Sequence, residues 1–345
     1  MALLQVTEAG LFCERGGFFV DPWLPVERAI VTHAHSDHAT PGSRRYLTAQ
    51  SNVELLRARL GEIDVAGLAF GESISLNGVH VSLHPAGHML GSAQVRIEHA
   101  GEVWVMTGDF KTQADSTCPP LEPLRCHGLV TEATFALPIY RWAEPASVFA
   151  EIDQWWQRNQ LLKRTSVIFA YALGKSQRVL HGLLERHGPV FVHGAVLKYL
   201  PAYAAAGVAI AGIEHATAEA VKAAKGRALV VAPPSAMKSP WLRKFGAVST
   251  ALASGWMRIR GARRRRSVDR GFVLSDHADW DGLNSTITAS GATRVWATQG
   301  YSEILARWLG ERGLEAQPVA TRFKEETASI GDSETSESTV DTQQP

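Results

Sequence analysis

Cysteine is scarce. The chain has only Cys13, Cys118 and Cys126, none of them in a C-x-x-C pair, and an odd count without that spacing excludes a disulfide framework and a cysteine-built zinc site. A dominant charge is missing as well. With 35 Lys and Arg against 34 Asp and Glu, the formal net charge is +1, so no global field favours a polyanionic partner and any nucleic-acid surface has to be a local patch. Long apolar runs are absent: no stretch reaches the ~18 residues of a membrane span, and Glu8, Glu14 and Arg15 interrupt the opening segment where a leader's apolar region would lie. The expectation is a cytoplasmic protein with no membrane partner. There is no internal repeat, and 45% hydrophobic with 20% charged residues is the balance of an ordinary globular chain.

What is present is length and a change of pattern. At 345 residues the chain is long enough for two domains, or for one large domain with an insertion, on a prior of ~100 to 200 residues per domain. The first part reads as short strands ended by glycine turns: Leu3 to Phe12, Phe18 to Val20, then pairs folded about Asn77-Gly78 and Ala100-Gly101. Only Val53 to Leu60 has a helical pattern there. After Pro138 the periodicity changes. Val148, Phe149, Ile152, Trp155 and Trp156 recur at helical spacing, and the apolar runs Val167 to Phe169, Val190 to Val192, Ala228 to Val231 and Val248 to Leu252 alternate with Ala-rich segments. This is the order of a parallel α/β sheet. Strand-then-helix units continue from Phe272 to about Phe323, and the tail 324–345, rich in Ser, Thr and Glu, has too little apolar surface to order.

The strongest chemical signal is His33-Ala-His35-Ser-Asp37-His38, directly after the β-branched run Ile30-Val31-Thr32. A strand end followed by a tight turn lets His33 and His35 point to one metal ion while Asp37 and His38 turn toward a second. Two further ligand-type residues follow apolar strands through glycine, His88 after Pro85-Ala86-Gly87 and Asp109 after Gly108. Asp21 also ends a strand, either as a turn residue or as a carboxylate that orients a ligand imidazole.

H-x-H-x-D-H with a later lone His and a Gly-Asp resembles the signature of metallo-β-lactamase-fold hydrolases. Glu132 in Thr131-Glu132-Ala133-Thr134, the segment Tyr171 to Gln177, and His277 in Ser275-Asp276-His277-Ala278-Asp279 are similar to the β-CASP nucleases; the run from Ser254-Gly255-Trp256-Met257 to Asp279-Trp280 resembles the bacterial ligase-associated DNA exonucleases. The resemblance implies an α/β fold: an αββα metallo-β-lactamase sandwich formed by residues 1–140 and 255–323, with an inserted α/β β-CASP domain at 141–254. It also implies that Asp109 bridges two zinc ions, with manganese able to substitute, that His277 closes the second metal site, and that Glu132 orients His277 or passes a proton. The implied catalytic residues are Asp37, Asp109, Glu132 and His277. The implied activity is hydrolysis of DNA by an activated hydroxide, 5′ to 3′, in DNA repair alongside an ATP-dependent DNA ligase and a helicase. Where many β-CASP members carry His-Gly near the last strand, this chain has Gln299-Gly300.

Weaker signals concern phosphate. Gly174-Lys175-Ser176 lacks the earlier glycine of a nucleotide-binding P-loop, that position being Phe169; Lys175 and Ser176 instead open a helix, where free N–H groups and a cation can hold a phosphate. Lys111, in a Gly-Asp-Phe-basic form similar to DNA-cutting members, and the run Arg263, Arg264, Arg265 and Arg266 are further candidates for tracking a phosphate backbone. Two alternatives remain beside the DNA nuclease, an RNA-processing β-CASP ribonuclease and, from another class, a non-catalytic nucleic-acid clamp. A small-ester hydrolase of glyoxalase type would have neither the inserted segment nor the basic run.

Overall fold

The computed structural model describes residues 3–183, 187–259 and 268–322. The expected basic run Arg263 to Arg266 and the tail 324–345 lie outside them.

Three sheets organise the chain. Gln5–Thr7, Gly10–Cys13, Phe18–Val20, Arg28–Ile30, Arg45–Ala49 and Val65–Leu68 pair in sequence order in the first. The opening segment expected as one strand is two: Gly10, at φ 126, reverses the chain and Thr7 Oγ1 donates to the Gly10 carbonyl at 2.9 Å. The second sheet runs Glu315–Val319, Arg294–Thr298, Gly128–Glu132, Glu102–Met106, Ala93–His99, Val79–Pro85, Ser73–Leu76. Asn77 and Gly78 turn its last hairpin with φ of 50 and 82, the paired left-handed geometry that matches strand twist.

Alternation sets how these two sheets meet. Phe18, Val20 and Ile30 of the first share one buried cluster with Val81, Val95, Trp104 and Val130 of the second. Helix Val53–Leu60 covers the outer face of the first sheet, Leu55 and Leu56 packing with Ala29 and Tyr46. Helices Trp280–Ser290 and Ser302–Gly310 cover the second, Leu283, Ile287, Leu305 and Leu309 packing with Val105, Leu129 and Val295.

The third sheet is parallel throughout and lies in sequence between Gly128–Glu132 and Arg294–Thr298. Its order is Ile213–His215, Val190–Val192, Leu229–Ala232, Thr165–Phe169, Val248–Ala253, Arg270–Phe272. Apolar clusters cover both faces, which is why its central strands read as unbroken apolar runs rather than alternating ones. Helix Pro145–Leu161 starts on a proline and buries Val148, Ile152 and Trp156, each four residues from the last, a stripe on one helical face. Trp156 belongs to that core, its indole N–H donating to the Arg227 carbonyl at 3.0 Å.

A buried ionic network fastens helix Lys175–Gly182 to the rest. Lys111 Nζ is 2.6 Å from Asp115, Arg178 is 3.4 Å from Asp115 and 3.0 Å from Asp276, and Arg178 Nη1 donates to the Ser275 carbonyl at 2.5 Å. Burial alone would raise the Asp276 carboxyl, but Lys175, Lys111 and Arg178 hold it down, to about 2. Its pKa is depressed from an ordinary ~3.9, so the stabilisation it gives is complete above about pH 4 and is lost as pH falls toward about 2. Removing one partner of such a network strands the others, at a cost of roughly 3 to 5 kcal/mol. Arg178→Met is therefore expected to lower the urea unfolding free energy by about 3 kcal/mol at neutral pH, with a smaller deficit near pH 3. A neutral-pH loss under about 0.5 kcal/mol would show that the network stabilises nothing.

Candidate metal centre

The site begins where the strand Arg28–Ile30 runs out. Asp21, buried and with φ 43, accepts the Thr32 N–H at 2.7 Å and the Thr32 hydroxyl at 2.6 Å. Its Oδ2 also lies 2.6 Å from His38 Nδ1. One carboxylate thus holds both ends of the His33 to His38 turn. The Thr32 hydroxyl donates its proton to Asp21, so toward His33 Nδ1, 3.1 Å away, it serves as acceptor. Gly108, at φ 55, passes against Thr32 so closely that a Cβ would come within 2.8 Å of it; only glycine lets the Asp109 loop approach.

Each of three imidazoles spends its outer nitrogen on the protein. His33 Nδ1 faces Thr32, His35 Nε2 donates to the Leu173 carbonyl at 3.1 Å, and His88 Nδ1 donates to the Asp276 carbonyl at 2.7 Å. Tautomer follows from the outer bond, so the inner nitrogens carry lone pairs. These converge: His33 Nε2 is 3.1 Å from His35 Nδ1, which is 3.2 Å from His88 Nε2, and Asp109 Oδ2 lies 3.5 Å from His33 and 3.8 Å from His88. Burial, then the neighbouring imidazoles, pushes His33 and His88 well below the usual range, and burial lowers His35, so protonation does not relieve the crowding. Four acceptors facing one another without a proton fit a divalent cation, for which three nitrogens and a carboxylate oxygen are a complete tetrahedral set.

A second group shares the same carboxylate. Among the described residues Asp109 Oδ1 is buried and without a hydrogen-bond partner, and lies 3.3 Å from His38 Nε2, which is 3.5 Å from Asp37 Oδ2. Asp37, His38 and Asp109 offer atoms all within 4.8 Å of one another. Although burial opposes it, Asp109, Asp37 and Asp21 raise the His38 imidazole well above its ordinary range; a proton there does what a cation would do.

His277 was expected to close this second group, and its position is different. It belongs with Asp109 and Glu132, its Nδ1 lying 2.8 Å from Glu132 Oε2 and 3.9 Å from Asp109 Oδ2. Glu132 is oriented in turn by the Phe110 N–H at 2.8 Å. Burial alone would lower His277, but the Glu132 and Asp109 carboxylates lift it to about 9. The residue beside Asp37 and His38 is Gln299, at 3.3 and 3.0 Å. The side chains of Asp37 and His277 are 37% and 19% exposed against 4% for Asp109, so the cluster opens to solvent on their side.

The phosphate expectations for the glycine-turn residues are corrected. Ser176 is fully buried and its hydroxyl donates to the Tyr171 carbonyl at 2.7 Å. Lys111 is committed to Asp115, and Lys175 is buried beside Asp276 and over the Tyr171 ring. The sequence pattern marked a helix start correctly, but the helix packs inward. Sequence reading also missed the carbonyls of Leu173 and Asp276, since main-chain oxygens carry no residue signature. The indirect sign was Gly174, at φ 86, where a Cβ would sit 3.2 Å from Met89.

Comparison with known proteins agrees with this geometry. No family model matches the chain. It is 33% identical over 313 residues to a probable DNA ligase of Opitutus terrae, covering 90% of this chain and 30% of that protein. It is 27% identical over 199 residues to cleavage and polyadenylation specificity factor 73 of Drosophila melanogaster, covering 45% of this chain and 29% of that one. It is also 27% identical over 201 residues to the RNase aCSPSF2 of Saccharolobus solfataricus, 49% and 40% of the two chains. The chain thus spans well under half the length of each of these relatives. Its fold is shared with a protein of unknown function from Enterococcus faecalis V583, at TM-score 0.55 and 12% identity over 78% of this chain and 74% of that one. The class is that of mixed α/β proteins with a histidine and aspartate cluster able to hold metal. Within it, the chain belongs to the β-CASP nuclease group.

His88→Ala and Asp109→Ala are each expected to reduce bound transition metal by at least tenfold while leaving the far-ultraviolet circular dichroism unchanged. His99→Ala, altering a side chain whose contact is the Gly78 carbonyl at 3.0 Å, should retain wild-type metal. Equal losses in all three variants would sink the cluster as the metal-holding site.

Proposed function

We propose that this chain is a metal-dependent DNA phosphodiesterase, an αββα metallo-β-lactamase sandwich carrying an inserted β-CASP domain; the expected end of that domain at 254 is corrected to beyond Phe272, because Arg270–Phe272 pairs with Val248–Ala253 in the third sheet. The observation that carries the reading is the single buried carboxylate of Asp109, one oxygen facing the three imidazole nitrogens and the other, otherwise unpartnered, facing His38. Two divalent cations held there, zinc where the imidazoles meet, would supply positive charge for a phosphodiester and lower the pKa of a water. The chain's own residues do the rest. Asp21 and Thr32 fix the tautomers of His38 and His33, and the Leu173 and Asp276 carbonyls do so for His35 and His88. Glu132 holds His277 at the open side of the cluster, where a protonated imidazole can donate to a phosphate oxygen or to the departing oxygen.

DNA is favoured over RNA by the Gly108-Asp109-Phe110-Lys111 sequence and by similarity along 90% of the chain to a protein named as a probable DNA ligase. The same similarity supports a role beside a DNA ligase; DNA repair, an ATP-dependent ligase and a helicase as a further partner are part of this proposal. Attack from a 5′ end is part of this proposal. The ribonuclease reading is favoured by one observation, the shorter similarity to the RNase aCSPSF2. Purified protein incubated with 5′-labelled single-stranded DNA and the matching RNA, with and without chelator, separates them. Early release of labelled DNA fragments, at least tenfold faster than from RNA and abolished by chelator, is expected. Preferential RNA cleavage would reassign the substrate. Binding of both without cleavage in any divalent metal would leave a nucleic-acid clamp.

A further inference from the structure

Gln299 follows the strand Arg294–Thr298 with a left-handed backbone, φ 58, a conformation that costs a non-glycine residue energy and persists only where its surroundings impose it. Gly300 follows it directly in the same left-handed region. At φ 49 it runs against the neighbouring segment so tightly that a Cβ would lie 2.4 Å from the Ala133 oxygen and Thr134 Cα. The Gln299 amide enters the cluster, its Nε2 standing 3.0 Å from His38 Nε2 and donating to Asp37 Oδ2 at 3.3 Å. A half-turn about the last side-chain bond exchanges the amide nitrogen and oxygen at that place.

We propose that Gln299 completes the Asp37, His38 and Asp109 group through its carbonyl oxygen, and that this makes the second site select a hard divalent cation of the manganese or magnesium type, while the His33, His35, His88 and Asp109 site takes zinc. The inference rests on the two-cation reading above and concerns only the second position. Spacing supports it: the edges between neighbouring atoms of this group are 3.0, 3.3, 3.3 and 3.5 Å. Ligands about 2.1 Å from one ion stand roughly 3.0 to 3.4 Å apart. Donor chemistry supports it too. The first site offers three imidazole nitrogens and one oxygen, whereas the second offers one nitrogen and three oxygens, and carboxylate and carbonyl oxygens suit manganese and magnesium where imidazole suits zinc. Solvent is the third support. A six-coordinate hard cation keeps several waters, and Asp37, 37% exposed, leaves this site open to them, whereas His33 and His88 are fully buried.

The test uses the full chain stripped of metal, given one equivalent of zinc, and titrated with manganese while free manganese is read by electron paramagnetic resonance. Wild-type protein should retain the zinc and bind one manganese. Gln299→Ala should weaken manganese binding at least tenfold without gaining zinc, and Gln299→His should take up a second tight zinc and bind manganese at least tenfold more weakly. Thermal unfolding of the metal-free variants checks that each is folded. A tight first zinc combined with manganese affinity that is the same in all three proteins overturns this inference alone, as does wild-type protein holding two zinc ions of equal affinity and no manganese. Failure to hold any zinc overturns the two-cation reading, and this inference with it.

Discussion

A buried carboxylate that no donor satisfies has to be met by positive charge. Asp109 is such a group: one oxygen has no hydrogen-bond partner among the described residues and lies 3.3 Å from His38, and the other lies 3.5 and 3.8 Å from the neutral imidazoles of His33 and His88. Neighbouring features follow from that requirement. Gly108 is glycine because the loop must press on Thr32 to bring the carboxylate in, and Thr32 is held by Asp21 so that His33 presents a lone pair. His33 and His88 remain neutral at neutral pH because burial and the neighbouring imidazoles keep protons off them. The same arrangement without a cation is electrostatically unbalanced, and the raised His38 and His277 show where protons gather to compensate.

The two nearest sheets supply most ligand-type side chains, but the third-sheet region supplies part of their orientation. Leu173, at the end of the strand Thr165–Phe169 and its following loop, accepts from His35, and Asp276, on the segment returning from the third sheet, accepts from His88. Asp276 also anchors Arg178. Movement of the third-sheet region would therefore be felt as rotation of two imidazoles, not merely as widening of a cleft.

Much of this was legible in the sequence, for identifiable reasons. The His33 to His38 run, His88 and Asp109 stand out because strand ends and glycines place polar side chains where apolar ones would otherwise continue, and the structure brings them within 4.8 Å groupings. The parallel third sheet was legible because strands covered on both faces must be apolar throughout. The opening hairpin was not, since Thr7 to Gly10 carries no standard two-residue turn pair and the turn depends on one glycine. Lys175 and Ser176 were misread because a helix start looks the same in sequence whether its amides face a ligand or an interior, and only Tyr171 and Asp276 decide it. The neighbours of His277 and Gln299 were not legible for a related reason: a loop's residue type says that a side chain is polar, but its reach depends on the local backbone, such as φ 58 at Gln299.

The separation in sequence between His35, His88 and the carbonyls that orient them has a consequence for how the protein is made. A chain emerging from the ribosome presents His88 long before Asp276 is synthesised, and its Nδ1 then lacks the carbonyl that orients it. Because Asp276 lies 188 positions beyond His88, and chains grow at about 5 to 20 residues per second, the nascent protein spends about ten seconds or more with the His88 tautomer unset. The three-imidazole group is therefore oriented in full only once the carbonyl of Asp276 closes on His88.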